Sequence, residues 1–365
     1  MALNSSGPIS LAGSTTGQSI AVELGQGATS QISLNDAAVR SLAGIASGAI
    51  TMPTNFWGKS VGGLTQKGIF AFGYSSLNTN ITNLVSNTGV VSGDSSGVGT
   101  ARNGPGGASY GGDKGIIAFG DLGSARTNIK NLVSNTGILS SDESGVGTAR
   151  NPQNSACTYG TDKAIIAWGD NASNAGVQVS NLISNTGIVA SDTAIPSGVS
   201  VRRSTMASSY GGDKGIFAFG RNTATSGTLY MNISNKVSNT GVIQSDTAGV
   251  GSISANRAAS AYGGDKCIFG YGFLTAGATS VTNLVSNTGV VSSDTAGVGT
   301  ARANLAATSY GGDKGIFGYG NYVSGYTPVR LSMTNKVSNT GVVSGDTAGV
   351  GTARSSLAAL GYSFS

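Results

Sequence analysis

The sequence predicts an all-β chain: a six-bladed β-propeller of four-stranded blades, closed by its C-terminal strand and preceded by a small, mainly-β N-terminal module. Three observations predict it. The tetrapeptide Ser-Asn-Thr-Gly recurs at 86–89, 134–137, 184–187, 238–241, 286–289 and 338–341. A lysine opens an apolar run six times, at Lys67, Lys114, Lys163, Lys214, Lys266 and Lys314, in steps of 47, 49, 51, 52 and 48 residues. That spacing is the span of a propeller blade with four strands. Finally, the repeat region opens in the middle of a unit, and the end of the chain supplies the missing part.

One unit is read from its clearest copy. Residues 302–310 form strand A, rich in Ala, Ser and Thr. Gly311, Gly312 and Asp313 make a turn, because glycine tolerates positive φ and Asp bonds its own backbone. Residues 314–320 form strand B, apolar and aromatic. After a loop of variable length, residues 334–338 form strand C. Asn339, Thr340 and Gly341 make a tight hairpin turn, and residues 342–346 form strand D. The stretch 347–354 leads to the next unit. Turn signals every 8–12 residues or so, without a helical period between them, argue all-β structure. Small side chains in strand A fit the crowded axis of a ring.

The ends favour a ring over a stacked solenoid, which needs polar capping repeats. Strand B at 66–73 has no strand A before it, and the strand A at 354–365 has no strand B after it. Together they complete one blade and leave no open sheet edge, which is a liability for pairing with other chains. This order of strands and turns, covering about 61–365, resembles a divergent kelch repeat. Val, Ile or Leu stands where the kelch tryptophan usually follows the third strand's turn.

Residues 1–60 do not repeat. The segments 7–11, 19–24 and 30–34 alternate like short strands. Residues 35–44 read as a short helix with Asn35 as cap and Gly44 as stop, and 47–58 return to extended structure. A sixty-residue module with so small a core is marginal by itself, so it is expected to pack on a partner or on its own copy. The runs 6–11 and 48–59 resemble the N-terminal attachment segments of tailed-bacteriophage tail and appendage proteins. That resemblance implies a virion anchor at the N-terminus, contacts with other virion proteins, a multi-copy or homo-oligomeric state, and a displayed domain at 61–365.

Composition narrows the function classes. Only 10% of the residues are charged, and the chain contains no histidine. That absence removes Ser-His-Asp and Cys-His catalysis and histidine-ligated metals. The net charge of +5 is spread along the repeats, and no basic run exceeds Arg202–Arg203, so neither nucleic-acid binding nor a cofactor is expected. No stretch approaches the ~20 apolar residues of a spanning helix, and the first residues do not read as a secretory signal. Synthesis in a host cytoplasm and residence in a virion are the expectation. Cys157 and Cys267 are too few for a disulfide scaffold and occupy small-residue slots, where they are expected to be buried.

Most charged residues belong to the repeat. Lysines at the start of strand B, aspartates before them (Asp113, Asp162, Asp213, Asp265, Asp313), aspartates ending strand D (Asp94, Asp142, Asp192, Asp246, Asp294, Asp346) and arginines before strand A (Arg102, Arg150, Arg202, Arg302, Arg354) make up 22 of the 37 charged residues. Ser254 takes the arginine slot in one copy. A blade needs such residues every time, so structural ion pairs and turn bonds are expected. The alternative is a ring of arginines binding an anion. The aromatic slot of strand B (Phe72, Phe119, Trp168, Phe219, Tyr271, Tyr319) is expected to pack between blades.

Variation lies in the B–C loops, which in a propeller share a face with the D–A connections, and binding resides in such loops on a rigid scaffold. The candidates for binding a host-surface polysaccharide or protein are Tyr74, Arg126, Arg221, Tyr230, Phe273, Tyr322, Tyr326 and Arg330. Asp121 and Asp170 also follow strand B and are the one pair that fits a carboxylate-based glycosidase. Without a partner nucleophile or arginine cluster, a non-enzymatic protein is the expectation. The resulting reading is a tail-fibre or appendage protein that binds the host surface. The alternatives are a decorating protein without a receptor and a cellular kelch-type scaffold.

Overall fold

The structure, a computed structural model, describes residues 3–4, 6–15, 17–24, 26–43, 45, 48–56, 65–222, 229–324 and 327–363. It divides into two compact units, Met1–Gly63 and Leu64–Ser365. The larger unit is all-β and is built from several small antiparallel sheets.

Six of these sheets follow the repeat. In each, an A, B and C strand lie side by side with B in the middle. The second sheet is Gly106–Tyr110, Lys114–Asp121 and Arg126–Val133. The third is Ala156–Tyr159, Lys163–Ala167 and Val179–Ile183, and the fourth is Met206–Tyr210, Lys214–Asn222 and Leu229–Val237. The fifth is Ala258–Tyr262, Lys266–Gly270 and Thr282–Val285. The sixth is Ala306–Tyr310, Lys314–Gly318 and Thr334–Val337. The first is assembled from both ends of the unit. Lys67–Ala71 pairs with Thr82–Val85 on one side and with Ala358–Tyr362 on the other, in the register Lys67↔Tyr362 to Ala71↔Ala358.

Strand B is apolar because both of its faces are covered. Ile69 and Phe72 of the first sheet pack with Ile117 and Val133 of the second. Ile116 and Phe119 of the second meet Ile166 and Ile183 of the third, and Ile165 and Trp168 of the third meet Phe217 and Val237 of the fourth. Ile216 and Phe219 meet Phe269 and Val285 of the fifth. Ile268 and Tyr271 meet Phe317 and Val337 of the sixth. Ile316 and Tyr319 of the sixth then meet Phe70 and Val85 of the first.

Backbone bonds repeat the same order. Amides in or after the A–B turns donate to the next sheet's turn carbonyl: Ser363 to Asp113, Gly111 to Asp162, Gly160 to Asp213, Gly211 to Asp265, Gly263 to Asp313 and Gly311 to Gln66, all at 2.7–2.9 Å. A neighbour order that begins at the first sheet therefore ends there. Cys157 and Cys267 are buried and free, as their slots suggested, and burial pushes the Cys157 thiol up to about 12.

Two expectations are corrected. The fourth strand of each unit is mostly not a strand. Its segment touches strand C through isolated bridges such as Val85↔Val91 and Thr82↔Ser95, and only Thr193–Ala194 forms a short ladder. In four of the six units a serine between the bridges takes a donor of strand C, while Ala190 and Gln244 stand there in the third and fourth. The Leu84 amide donates to the Ser92 hydroxyl at 2.9 Å rather than to a backbone carbonyl, and a side chain that takes a ladder donor competes with the sheet. The four-stranded unit is thus three strands plus a bridged segment.

The N-terminal unit is not mainly β. Its described residues hold helices Ile20–Glu23 and Ala37–Ala43 and a 3₁₀ turn Thr54–Phe56, with a single isolated bridge, Ser10↔Ser19. The segment 19–24, expected as a strand, turns helical because the Ser19 hydroxyl caps it by accepting from the Val22 amide at 3.3 Å. Burial of Ile20 with Val39, Leu42 and Phe56 then fixes it. The expected helix after Asn35 is present, but Asp36 is its flanking residue, accepting from the Arg40 amide at 2.9 Å. Its stop, Gly44, lies outside the described residues. Among the described residues no helix is long and apolar enough to cross a membrane.

Candidate functional site

The B–C loops begin at a built corner. The aromatic residue five positions after the lysine of each strand B stands at positive φ, from 56° at Trp168 to 65° at Phe119, and the glycine after it at 100–125°. A bulky residue held there needs surroundings that over-determine it. The repeated arginines supply them. Arg102 stacks over Phe72 with 4.1 Å from its Cζ to the ring centroid. Its Nε donates to the Phe119 carbonyl at 2.8 Å and its Nη2 to Asn131 Oδ1 at 2.6 Å. Arg150 over Phe119, Arg202 over Trp168, Arg302 over Tyr271 and Arg354 over Tyr319 repeat the stack. Each arginine belongs to one sheet and each ring to the sheet before it.

A ring of arginines binding an anion is therefore overturned. These guanidiniums are fully buried and face carbonyls and asparagines of the protein. Burial lowers those of Arg102, Arg150 and Arg202 to about 10, against the opposing pull of Asp142, Asp192 and Asp246. The copy with Ser254 in the slot is not empty either. Arg257, three residues later, places its Cζ 4.1 Å over Phe219 and donates from Nη1 to Ser254 Oγ at 3.2 Å.

The aspartates at the end of the D segments are structural as expected. Asp94 accepts from the Thr352 amide and hydroxyl at 2.9 and 2.6 Å and from Asn83 Nδ2 at 3.0 Å. Burial raises its carboxyl, but those hydrogen bonds outweigh it and hold it below the ordinary value. Asn83, which recurs as Asn131, Asn181, Asn235, Asn283 and Asn335, escaped notice in the sequence although every unit carries it. It joins arginine to aspartate through its amide. Five of the six lysines pair with the aspartate just before them, at 2.5–3.0 Å, and Lys67 follows Gln66 instead.

Past the corner the repeat stops being uniform. The second residue after the aromatic is Tyr74, Asp121, Asp170, Arg221, Phe273 or Asn321. In every unit it pairs across the backbone with the D–A connection: Tyr74↔Ser355, Asn103↔Asp121, Asn151↔Asp170, Arg203↔Arg221, Ala255↔Phe273 and Ala303↔Asn321. The B–C loops and D–A connections thus share one side of the sheets, as read from the sequence. One backbone position carries five different side chains in six units.

The candidates on that side fall into separate groups. Arg330, on the hairpin Asn321–Ser324 with Thr327–Arg330, lies over Tyr74 at 4.7 Å to the ring centroid. Arg221 lies 5.9 Å from the Tyr230 centroid and donates to Asn256 Oδ1 at 2.6 Å. Phe273, in a short hairpin opposite Ala278, and Tyr322, opposite Val329, are half-buried. Tyr326 lies outside the described residues.

Arg126 is committed inside the protein. Its Nη1 sits 2.5 Å from Asp121 Oδ2, its Nη2 2.7 Å from Asp170 Oδ1, and it also donates to Asn174. It stands between the two carboxylates of the glycosidase alternative, where a pair acting on a sugar would need open space for water or the anomeric carbon. Asp170 is fully buried, and burial raises its carboxyl against the pull of Arg126. Arg203 was not a candidate. Its neighbour Arg202 is buried in the repeat slot, and the two look alike in sequence. Burial over Trp168 and the pairing Arg203↔Arg221 separate them.

Elsewhere in the larger unit, the A strands of all six sheets line a cavity of about 80 Å³, with Ala, Ser, Thr and Gly on its walls. Among the described residues no group of three or more His, Cys, Asp or Glu could hold a metal. No protein-family model matches the chain, and no curated protein matches it.

Proposed function

We propose that residues 64–365 form a six-bladed, kelch-like β-propeller, and that the chain is a non-enzymatic structural protein of a tailed-bacteriophage virion. In this reading the N-terminal unit attaches to other virion proteins, and the B–C loop side binds the host surface. The observation that carries the binding reading is the slot after the strand B corner, where a repeated scaffold presents Tyr74, Asp121, Asp170, Arg221, Phe273 and Asn321 at one backbone position. A scaffold repeated six times with one varied position is the arrangement that loop-borne recognition uses. Support for the ring comes from the neighbour order that returns to the first sheet and from the A strands meeting at one cavity. Support for the virion role comes from the sequence resemblance of 6–11 and 48–59, part of which lies outside the described residues.

The test uses the labelled full chain on cells of a susceptible host. Staining of the cells, with competition against infection, is the expected result, and mass spectrometry of purified particles should detect the chain. Detection in particles without staining would support a decorating protein. Absence from particles would reject the virion reading and favour a cellular scaffold.

A further inference from the structure

We propose that Arg203, Arg221 and Tyr230 form a binding site for the oxyanion-bearing sugars of an acidic polysaccharide. The proposal rests on the reading of the loop side as host-binding and names the ligand class for it. The three residues lie in register across three adjacent strands, Arg203↔Arg221 and Arg221↔Tyr230, so their side chains share one face.

Two arginines directly opposite one another on paired strands repel. Nothing in the repeat asks for them. The five equivalent pairs are Ser355 with Tyr74, Asn103 with Asp121, Asn151 with Asp170, Ala255 with Phe273 and Ala303 with Asn321.

The two guanidiniums are only partly neutralised within the protein. Arg203 Nη1 is 3.7 Å from Asp170 Oδ2, well beyond a charge-assisted hydrogen bond, while the other oxygen of Asp170 is already held by Arg126. Arg221 bonds a neutral amide, Asn256. The Nε atoms of Arg203 and Arg221 are both buried without a hydrogen-bond partner among the described residues. Across this cluster, Arg126, Arg203 and Arg221 face Asp121 and Asp170, which leaves one positive charge over. Burial lowers the Arg221 guanidinium, Tyr230 opposes that, and Arg203 adds to it.

Guanidinium forks match a carboxylate or sulfate through paired N–H donors, and the Tyr230 ring offers a flat apolar face with a polar tip for a sugar ring. The basic residues are otherwise spread over the repeats, which does not suit the long phosphate track of a nucleic acid.

The test is calorimetric titration of the full chain with polygalacturonate, dextran sulfate, neutral dextran and polyglutamate, for the natural protein and for Arg203→Gln and Arg221→Gln. Expected is binding of one or both acidic polysaccharides and none of dextran, at least about tenfold weaker in each variant, with melting temperatures no lower than that of the natural protein. Preference for polygalacturonate assigns the oxyanion to a carboxylate, and preference for dextran sulfate assigns it to a sulfate ester. Unchanged affinity in both variants, equal binding of dextran, equal binding of polyglutamate, or no binding of either acidic polysaccharide would overturn the proposal. Host-cell staining that both variants retain would remove this site and leave the host-binding reading intact. Arginine-dependent polysaccharide binding without staining would do the reverse.

Discussion

Deleting residues 355–365 is expected to abolish the cooperative unfolding transition of the sheet region. The deletion removes Ala358–Tyr362, the strand that covers one edge of Lys67–Ala71. It also removes Leu357, Leu360 and Tyr362, none more than 3% exposed. Fully burying a large apolar side chain stabilises by ~1.5–3 kcal/mol, so three such side chains contribute on the order of 5–9 kcal/mol. That is comparable to the whole stability of a typical domain, ~5–15 kcal/mol. The loss falls at the junction where the first sheet meets both the second and the sixth, so two inter-sheet cores open together. Fluorescence of Trp168, buried between the third and fourth sheets, reports whether disruption spreads beyond the first sheet. A truncated chain that melts like the full one would show that this pairing is dispensable.

Arg102→Ala is expected to destabilise the protein by about 3–5 kcal/mol. The guanidinium is fully buried between two sheets. Its removal strands the Phe119 and Ile117 carbonyls and Asn131 Oδ1 and leaves a void over Phe72, which stands at positive φ. Arg102→Lys should recover little, because an ammonium cannot stack flat on the ring or reach several acceptors as the planar fork does. Thermal melts of the three proteins measure the effect. A lysine variant as stable as the natural protein would mean that charge alone matters there.

The strands and the pairing of the two end fragments are legible in the sequence because they rest on local, repeated signals. The lysine and apolar run of strand B, the Gly-rich turn and the Ser-Asn-Thr-Gly hairpin each recur, and the split unit at 67–71 and 358–362 pairs as its two fragments suggested. What the sequence hid depends on distance rather than pattern. Strand D alternates like a strand, yet it meets strand C mostly through isolated bridges, and in four units a serine there takes a strand C donor. Ser254 read as a missing arginine, because a side chain three residues on reaching the same ring cannot be seen in an alignment of slots. In the N-terminal unit, a capped turn at 19–24 was too short for helical and strand periods to differ.

The candidate site was legible as a region and not as a set of residues. The variable loops do lie beside the D–A connections. Arg126 drew attention as an unrepeated arginine, but two aspartates from neighbouring units enclose it. Arg203 is not legible as a site residue, because its partner Arg221 lies 18 positions away and meets it only through strand pairing.

The most direct test of the central claim, six sheets closed into a ring, is electron-microscopic imaging of the full chain with two-dimensional class averages. Six lobes around a closed centre are the expected result. An open arc, or a closed ring with a different number of lobes, would contradict it.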